Sequence, residues 1–234
     1  MSESLRVIWN QPPPPERQRS LGREEIVAAA IGLADEQGVQ GLTMKALAAR
    51  LGSYSPMALY RYVYSKEGLI DLMLDAAVAE VPLPERPGDD WRADLWTLAI
   101  ETRRMTQRHR WYAHLVHTRP PAGPNGMLRT EFVLTVLVEQ GVPAPLAMTY
   151  AALLDRYIFG SGLQEAAEAT FERAHGLADP AGLFAAIGVV RDLAAADGRV
   201  PHLTAWLTNP SGPTAEEQFE LGLTFLLDGI QARV

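Results

Sequence analysis

The sequence predicts an all-α protein in which a small three-helix unit of the helix-turn-helix type precedes a larger helical domain. Three observations predict this fold class. Apolar residues recur at three- and four-residue steps through most of the chain, and no stretch shows the two-residue alternation of a strand. Two short helical segments flank a turn at Gly52. A proline-rich break at residues 82–87 then separates the first helices from the rest.

Composition limits the class of protein. With 234 residues, 47% of them hydrophobic, the chain is long enough to bury a full core. It contains no apolar run of about 18 residues and no signal-peptide pattern, so we expect a soluble, cytoplasmic protein without a membrane partner. The absence of cysteine excludes disulfides, thiolate metal sites and cysteine catalysis.

The net charge of −7 is unevenly distributed. Up to Lys66 there are eight Lys and Arg against six Asp and Glu, which gives +2, and the remainder carries −9. The first 66 residues, the head, are mildly basic and are attracted to phosphates. The acidic remainder, which contains the body, is repelled by them. Overall acidity therefore does not argue against nucleic-acid binding.

Residues 1–20 are predicted to form a flexible N-terminal arm, because the four consecutive prolines Pro12–Pro15 cannot be helical. The arm is either a disordered tail or a basic segment in which Arg17 and Arg19 follow the phosphates or a minor groove.

Two helices are predicted next. The first covers residues 23–36 and ends at Gly38. Its apolar stripe consists of Ile26, Val27, Ala30, Ile31 and Ala34. Thr43 is a suitable N-cap for the second helix, which ends at Gly52. The apolar face of this second helix consists of Leu47, Ala48 and Leu51.

The third helix is predicted over residues 56–62. Ser55 is a good N-cap, and Pro56 occupies the first helical position, where its missing N–H costs nothing. Two short helices joined by a glycine-containing turn form a helix-turn-helix, whose second helix enters the major groove of DNA. Leu59 is expected to point inward. The outer rim, able to contact base edges and phosphates, consists of Met57, Ala58, Tyr60, Arg61 and Tyr62.

A connecting helix is predicted over residues 65–80, with apolar side chains on a wide face that can pack on the head and on the body together. Lys66 and the free amides of its first turn could hold a phosphate. Motion of this helix would transmit a conformational change in the body to the DNA-binding head. The alternative for the whole motif is a helical hairpin in which Tyr60 and Tyr62 are ordinary packing residues.

The body is predicted to contain five helices. They cover residues 91–108, 127–140, 144–169, 180–196 and 214–232, with a possible bend at Gly160 and Gly162. Thr214 and Glu217 form a capping box at the start of the last helix.

The N-terminal motif resembles the DNA-binding domain of the TetR family of transcriptional regulators. The resemblance is carried by Gly41-Leu42-Thr43, Leu47-Ala48, Leu51-Gly52, Leu59-Tyr60-Arg61-Tyr62-Val63 and Lys66-Glu67-Gly68-Leu69. Between Leu51-Gly52 and Leu59-Tyr60 the chain is one residue longer than the tetracycline repressors. The body resembles their regulatory domain at Trp91, His109-Arg110, Thr118-Arg119-Pro120, Gln140-Gly141 and Gly160.

The resemblance and the outer rim together imply a domain organisation and a set of DNA contacts. Residues 21–66 would be the DNA-binding domain, 67–88 the connecting helix and linker, and 89–234 the ligand-binding and dimerisation domain. The residues expected to contact a double-stranded DNA operator are Thr43, Lys45, Ser55, Pro56, Met57, Tyr60, Arg61, Tyr62 and Lys66.

The resemblance also implies a homodimer, in which the long third and last body helices pair across a two-fold axis. The expected interface residues are Tyr150, Leu153, Leu154, Tyr157, Ile158, Phe219, Gly222, Phe225, Leu226 and Gly229. An intramolecular core is the alternative for these residues. Their large apolar surface, too great for one side of a thin bundle, favours the dimer.

A small-molecule effector is expected between the body helices. The expected lining is Leu98, Thr102, Met105, His117, Thr118, Thr130, Val133, Leu137, Met148 and Ala151, each of which is alternatively a plain core residue. Leu98, Thr102 and Val133 stand where tetracycline repressors place two amides and an aromatic ring. The segment of the family's metal-binding histidine is one residue shorter. We therefore expect no cofactor or metal, and a hydrophobic or aromatic effector.

A catalytic function is the other possibility that the histidines and carboxylates of the body raise. His109, His114 and His117 with Asp155 or Glu131 could suggest a metal or acid-base site, but no third ligand, phosphate loop or nucleophile elbow accompanies them. The sequence predicts a ligand-responsive regulator, a repressor released from a palindromic operator by its effector. The alternative is a helical small-molecule carrier that does not read DNA.

Overall fold

The structure, a computed structural model, describes residues 8–11, 21–52, 54–119, 122–177 and 179–233. All regular elements in these ranges are helical, which confirms the predicted fold class. After a 3-10 turn at Ile8–Asn10 the helices are α1 (Arg23–Gly41), α2 (Met44–Arg50), α3 (Pro56–Val63), α4 (Lys66–Val78), α5 (Trp91–Arg108), α6 (Arg110–Val116), α7 (Pro124–Glu139), α8 (Ala144–His175), α9 (Pro180–Asp197), α10 (Pro201–Thr208) and α11 (Ala215–Gln231). None of these helices is long and apolar enough to cross a membrane.

The chain forms two compact units. The first contains residues 1–163 and 230–234, and the second contains residues 164–229. The first unit includes both the helix-turn-helix and the helices that follow the proline-rich linker, because α4 packs against α1 on one side and against α6 and α7 on another.

The predicted helix starts are confirmed by their caps. The Thr43 hydroxyl accepts a hydrogen bond from the Ala46 amide at 3.0 Å, and Ser55 accepts one from Ala58 at 3.2 Å. Ser65 caps α4 by accepting from the Gly68 amide at 2.9 Å. In the second unit the capping box is formed as predicted, since the Thr214 amide donates to the Glu217 carboxylate at 2.7 Å. These bonds satisfy amides that a helix cannot pair internally.

The bounds of two predicted helices need correction, while the break at Gly38 is confirmed. The helix predicted from Met127 begins earlier, at Pro124. Gly38, with φ of 70° and ψ of −179°, interrupts the helix as predicted, and a further helical turn follows up to Gly41. The predicted helix ending at Ala169 instead continues to His175, through Gly160 and Gly162. The two short helices α6 and α10 were not predicted. Seven or eight residues show too few periods of an apolar pattern to stand out in a sequence.

Part of the predicted flexible arm is packed. Ile8 is 3% exposed, and its Cδ1 would lie 3.4 Å from a Cβ built on Gly68, so it packs on the start of α4. Ile8 of the predicted arm is therefore packed on α4, and the flexibility of the arm stays a prediction. The prolines Pro12–Pro15 and the arginines Arg17 and Arg19 lie outside the described residues.

Gly162→Val should destabilise the first unit. Gly162 is buried, and a Cβ there would lie 2.9 Å from Thr106 Oγ1 and 3.2 Å from Thr106 Cβ. The Thr106 hydroxyl is itself held on Arg103 O at 2.8 Å, so α8 would have to move away from α5. Overpacking of this kind costs about 1 to 3 kcal/mol. The melting temperature measured by circular dichroism should fall by roughly 3 to 10 °C.

The matched control for this change is Gly160→Val on the same helix. Gly160 is exposed, and nothing lies within 4 Å of the position of its Cβ. Its melting temperature should stay within a degree or two of the original. Equal melting of the two variants would contradict the close approach of α8 to α5.

Candidate functional site

The helix α3 presents one face to the core and one to the surface. Leu59 and Val63 are fully buried, as expected for Leu59. On the opposite side Met57 is 75% exposed and Arg61 is exposed, while Tyr60 is half-buried. A helix fixed by a buried face and carrying a free polar and aromatic face has the form of a DNA recognition helix.

All nine predicted DNA contacts lie at the surface. Thr43, Lys45, Ser55, Pro56, Met57 and Arg61 are exposed, and Tyr60, Tyr62 and Lys66 are half-buried. None of these nine side chains is buried in the core. The structure therefore keeps all nine available to a partner, while the contacts themselves stay a prediction.

A hydrogen bond from α1 and a sharp turn after Val63 hold the recognition helix in place. Arg23 Nε, at the start of α1, donates to the Tyr62 carbonyl at 3.1 Å. Tyr64 has a φ of 62°, which ends α3 abruptly and turns the chain into α4. Lys66 is the first residue of α4, whose Gly68 amide is already bonded to Ser65 Oγ. A phosphate at the start of this helix is favoured by the helix dipole and by the lysine charge.

Polar bonds tie the head to the body through residues distant in sequence. The His109 ring lies between two carboxylates, with Nδ1 2.9 Å from Asp35 Oδ1 and Nε2 3.0 Å from Glu80 Oε1. Trp111 Nε1 donates to the same Asp35 oxygen at 2.7 Å. His109 therefore joins α1, the end of α4 and α6.

A second tie is the ion pair of Arg119 with Asp71. Arg119 binds both oxygens of Asp71 through Nε and Nη2, with 2.8 Å between Nη2 and Oδ2. The hydrogen bond to Asp71 raises the pKa of Arg119. Because Asp71 belongs to α4, the loop that carries Arg119 is fixed to the connecting helix.

The residues weighed for catalysis do not form one site. His109 is held between Asp35 and Glu80, and Asp155 pairs with Arg129 at 2.8 Å. The remaining members of that set, His114, His117 and Glu131, are exposed. Among the described residues no three His, Asp or Glu side chains are grouped so that they could hold a metal.

The residues predicted to line the effector site differ in burial. Leu98, Thr102, Met105, Val133, Leu137 and Ala151 are buried, and Thr130 is half-buried. Three predicted members, His117, Thr118 and Met148, are exposed instead, because they lie at a helix end or on an outer helix face. The expectation that these three line an interior pocket needs correction.

The hydroxyl donors of the predicted threonine anchors are already used, although each oxygen can still accept a hydrogen bond. The Thr102 hydroxyl donates to Leu98 O at 2.6 Å, and the Thr130 hydroxyl donates to Gly126 O at 3.0 Å. Thr118 likewise donates to Leu115 O at 2.8 Å. Each bond lies within three or four residues, so these hydroxyls satisfy the backbone of their own helix or turn.

A cavity of about 300 Å³ lies beside the end of α4, away from most of the predicted lining. It is lined by residues 78–83, Asn125, Leu128 and Arg129. Arg129 is 6% exposed, and its Cζ is 5.8 Å from the centre of the Phe159 ring. Sequence reasoning missed Arg129, because nothing in the sequence distinguishes a buried arginine from a surface one on an amphipathic helix.

Other polar groups are buried near Arg129. Asp75 of α4 accepts from Asn125 Nδ2 at 2.8 Å and from the Gly126 amide at 3.0 Å. Burial raises the pKa of Tyr112 above its ordinary value, Arg129 opposes this increase, and the charges of Asp155 and Asp75 add to it. α4, α6, α7 and α8 thus share a buried polar cluster.

The predicted dimer interface stays a prediction, and the structure shows how much surface each of its residues has left for a partner. Tyr150, Leu154, Ile158 and Phe219 are already buried within one chain, so they can lose little further surface in a dimer. Tyr157, Gly222, Leu226 and Gly229 are half-buried. The large exposed apolar residues among or beside these positions are Leu153 at 39%, Leu221 at 48% and Phe225 at 65%.

Comparisons with known proteins agree with this geometry. Residues 26–73 match the family model of bacterial regulatory proteins of the tetR family, and residues 83–234 match the tetracyclin repressor-like C-terminal domain. The HTH-type transcriptional repressor DrrR1 of Streptomyces coeruleorubidus is 32% identical over 237 residues, which cover 100% of this chain and 87% of that protein. The class C tetracycline repressor of Escherichia coli is 34% identical over 65% of this chain and 70% of that protein.

A solved structure is similar over nearly the whole chain. It is the TetR family protein ActR of Streptomyces coelicolor in complex with actinorhodin, at 28% sequence identity and a TM-score of 0.77. The match covers 93% of this chain and 98% of ActR.

Proposed function

The chain belongs to the TetR family of bacterial transcriptional regulators, and from that premise we propose that it is a homodimeric repressor which a hydrophobic or aromatic effector releases from a palindromic operator. Its function as a ligand-responsive, DNA-binding regulator follows from the family. The dimer, the contact residues and the nature of the effector are the proposed part. The alternative of a carrier protein that does not bind DNA is disfavoured, because all predicted DNA contacts are exposed or half-buried at the surface.

One observation carries the DNA-binding assignment. The outer face of α3 and the start of α4 present aromatic, apolar and basic side chains over a core that includes the fully buried Leu59 and Val63. Met57 and Arg61 are suited to base edges, and Lys66 is suited to a phosphate. We assign the DNA-binding domain to residues 21–66, the connecting helix and linker to 67–88, and the ligand-binding and dimerisation domain to 89–234.

The dimer is supported by the size of the contact and by exposed apolar surface. One short recognition helix offers too little contact for specificity, whereas two heads could bind half-sites about 34 to 36 Å apart, one helical turn of DNA. Phe225, at 65% exposed, and Leu221, at 48% exposed, supply apolar surface for a two-fold interface on α11.

The effector class is supported by the apolar interior of the first unit. Leu98 and Val133 are buried where the tetracycline repressors place amides, Leu137 is also buried, and the nearby threonine hydroxyls donate to the backbone. ActR, the similar regulator, was crystallised with actinorhodin, so an organic effector is consistent with this fold.

Release from DNA would pass through α4. This helix holds the head through its contacts with α1 and α3, and it holds the body through Asp71 and Asp75. An effector that binds the conformation unable to bind DNA more tightly shifts the equilibrium by that difference in affinity and no more.

Selection of bound fragments from genomic DNA, followed by affinity measurement over a range of salt concentrations, tests the proposed function. We expect salt-sensitive binding to one palindrome and weak binding to random duplex, because phosphate contacts release counterions while base contacts supply the preference. Equal binding to all duplexes, or none to any, would favour the carrier alternative.

Magnesium-tetracycline should bind weakly or not at all. Its polar groups would be buried without partners among Leu98, Val133 and Leu137, at a cost of about 1 to 3 kcal/mol for each group. Calorimetric titration of the purified chain measures this directly, with a class C tetracycline repressor as the positive control. Submicromolar binding that also releases the chain from its operator would refute the predicted effector class.

A further inference from the structure

Arg129 is a buried cation with two unused donor groups. The side chain is 7% exposed, and Nη1 lies 2.8 Å from Asp155 Oδ1. Nε and Nη2 are both buried and have no hydrogen-bond partner. Unpaired donors of a charged group are costly to bury, so their presence calls for an acceptor that completes the site.

The two free donors form a geometric pair. Nε and Nη2 lie on the same side of the planar guanidinium and can bind both oxygens of one carboxylate. Arg119 of this chain binds Asp71 in this way, through its own Nε and Nη2. Asp155 does not compete for that side of Arg129, because it is bonded to Nη1.

A space for the acceptor lies next to Arg129, whose Nε and Nη2 are covered in this structure, so the side chain has to turn toward the cavity for the acceptor to reach them. The cavity of about 300 Å³ is lined by Arg129, Asn125, Leu128 and residues 78–83. The acidic member of this lining, Glu80, is bonded to Arg108 and His109. The volume of the cavity is at the lower end of the range for small-molecule sites, and its lining combines apolar side chains with a few polar groups.

We propose that the effector carries a carboxylate, which binds Nε and Nη2 of Arg129 while its apolar body occupies this cavity. This inference rests on the proposed function, since it names the chemistry of the effector of the same regulator, and it moves the effector from the predicted interior lining around Leu98, Val133 and Leu137 to this cavity. Residues 78–83 contain the last residue of α4 and the chain after it, so an effector held here contacts the end of the helix that supports the DNA-binding head.

A matched pair of probes tests the proposal without knowledge of the natural effector. The probes are 2-naphthoate and its neutral analogue 2-naphthamide, titrated into the full-length chain by calorimetry at constant ionic strength. The acid should bind at least about tenfold more tightly than the amide, because only the carboxylate accepts two charge-assisted hydrogen bonds. Equal affinities would overturn the proposal.

Four variants locate the effect at Arg129. Arg129→Gln should erase the preference for the acid, and Arg129→Lys, which keeps the charge but not the paired donors, should reduce it several-fold. Asp155→Asn should strengthen binding of the acid, because the neighbouring negative charge is removed. Arg156→Gln, which removes an exposed arginine next to Asp155, is the control and should change nothing.

Circular dichroism melting of each variant separates loss of binding from loss of fold. If Arg129→Gln does not fold, the opposite effects expected for Arg129→Lys and Asp155→Asn still decide the matter. A preference for the acid that survives in Arg129→Lys at full strength, or that falls in Asp155→Asn, would refute the site.

Operator binding, measured separately by fluorescence polarisation, distinguishes this inference from the proposed function. Release of the chain from its operator by neutral aromatic compounds, with no role for Arg129, would leave the repressor intact and refute the carboxylate. A preference for naphthoate in a chain that binds no duplex would support the site and refute the repressor.

Discussion

Phe225→Asp should convert the dimer into monomers and abolish specific operator binding. Phe225 is 65% exposed on α11 in the single chain, and a two-fold interface would bury it beside its copy. A carboxylate in that position would be desolvated next to a like charge, which a dimer cannot tolerate. Operator affinity should fall by about 1,000-fold or more, toward the level of non-specific binding. Sedimentation and fluorescence polarisation measure the two effects.

Phe184→Asp is the control for this change. Phe184 is also a large exposed side chain, at 69%, but it lies on α9, outside the predicted interface. It should leave both the oligomeric state and operator binding unchanged. A monodisperse monomer of the original chain at micromolar concentration would refute the dimer, and a dimeric Phe225→Asp variant would refute the position of the interface.

The double change Tyr60→Ala with Lys66→Ala should nearly eliminate operator recognition. If each contact contributes about 1 to 3 kcal/mol, the two together should weaken binding by roughly 30- to 25,000-fold. The single changes should differ in kind. Lys66→Ala should weaken binding to all duplexes alike and reduce the salt slope by about 1, because a phosphate contact carries no sequence information.

Changes at the base-facing positions should instead alter sequence preference. Substitution of Met57 or Arg61, both exposed on α3, should shift the preferred half-site while the salt slope changes less. Arg110→Ala removes an exposed positive charge from the body and serves as the control for net charge. Unaltered operator affinity in both Tyr60→Ala and Lys66→Ala would disprove the proposed interface.

Local signals made the DNA-binding unit predictable. The three caps at Thr43, Ser55 and Ser65 each bond an amide three residues ahead, so the residues that start a helix are neighbours in sequence. The inward position of Leu59 follows from the helical period alone. The family resemblance rests on the same local patterns, and the matches at residues 26–73 and 83–234 confirm it.

Burial of side chains in the body was predicted less well, because it depends on residues that are far away in sequence. Periodicity located α5, α7 and α8, but it could not show that Tyr150 and Leu154 are buried within one chain and not between two. It also could not show that His117 and Met148 face outward. Burial at these positions depends on how neighbouring helices cross, which the sequence of one helix does not contain.

The sequence by itself determined the helical class, the caps and order of the N-terminal helices, and membership of the family, because each depends on residues a few positions apart. Only the tertiary structure decided which charged groups are buried and what they meet. Arg129 and Asp155 are separated by 26 positions, and His109 and Asp35 by 74, yet each pair is in contact. Long-range packing brings such groups together and, at Arg129, leaves two donors free for a ligand.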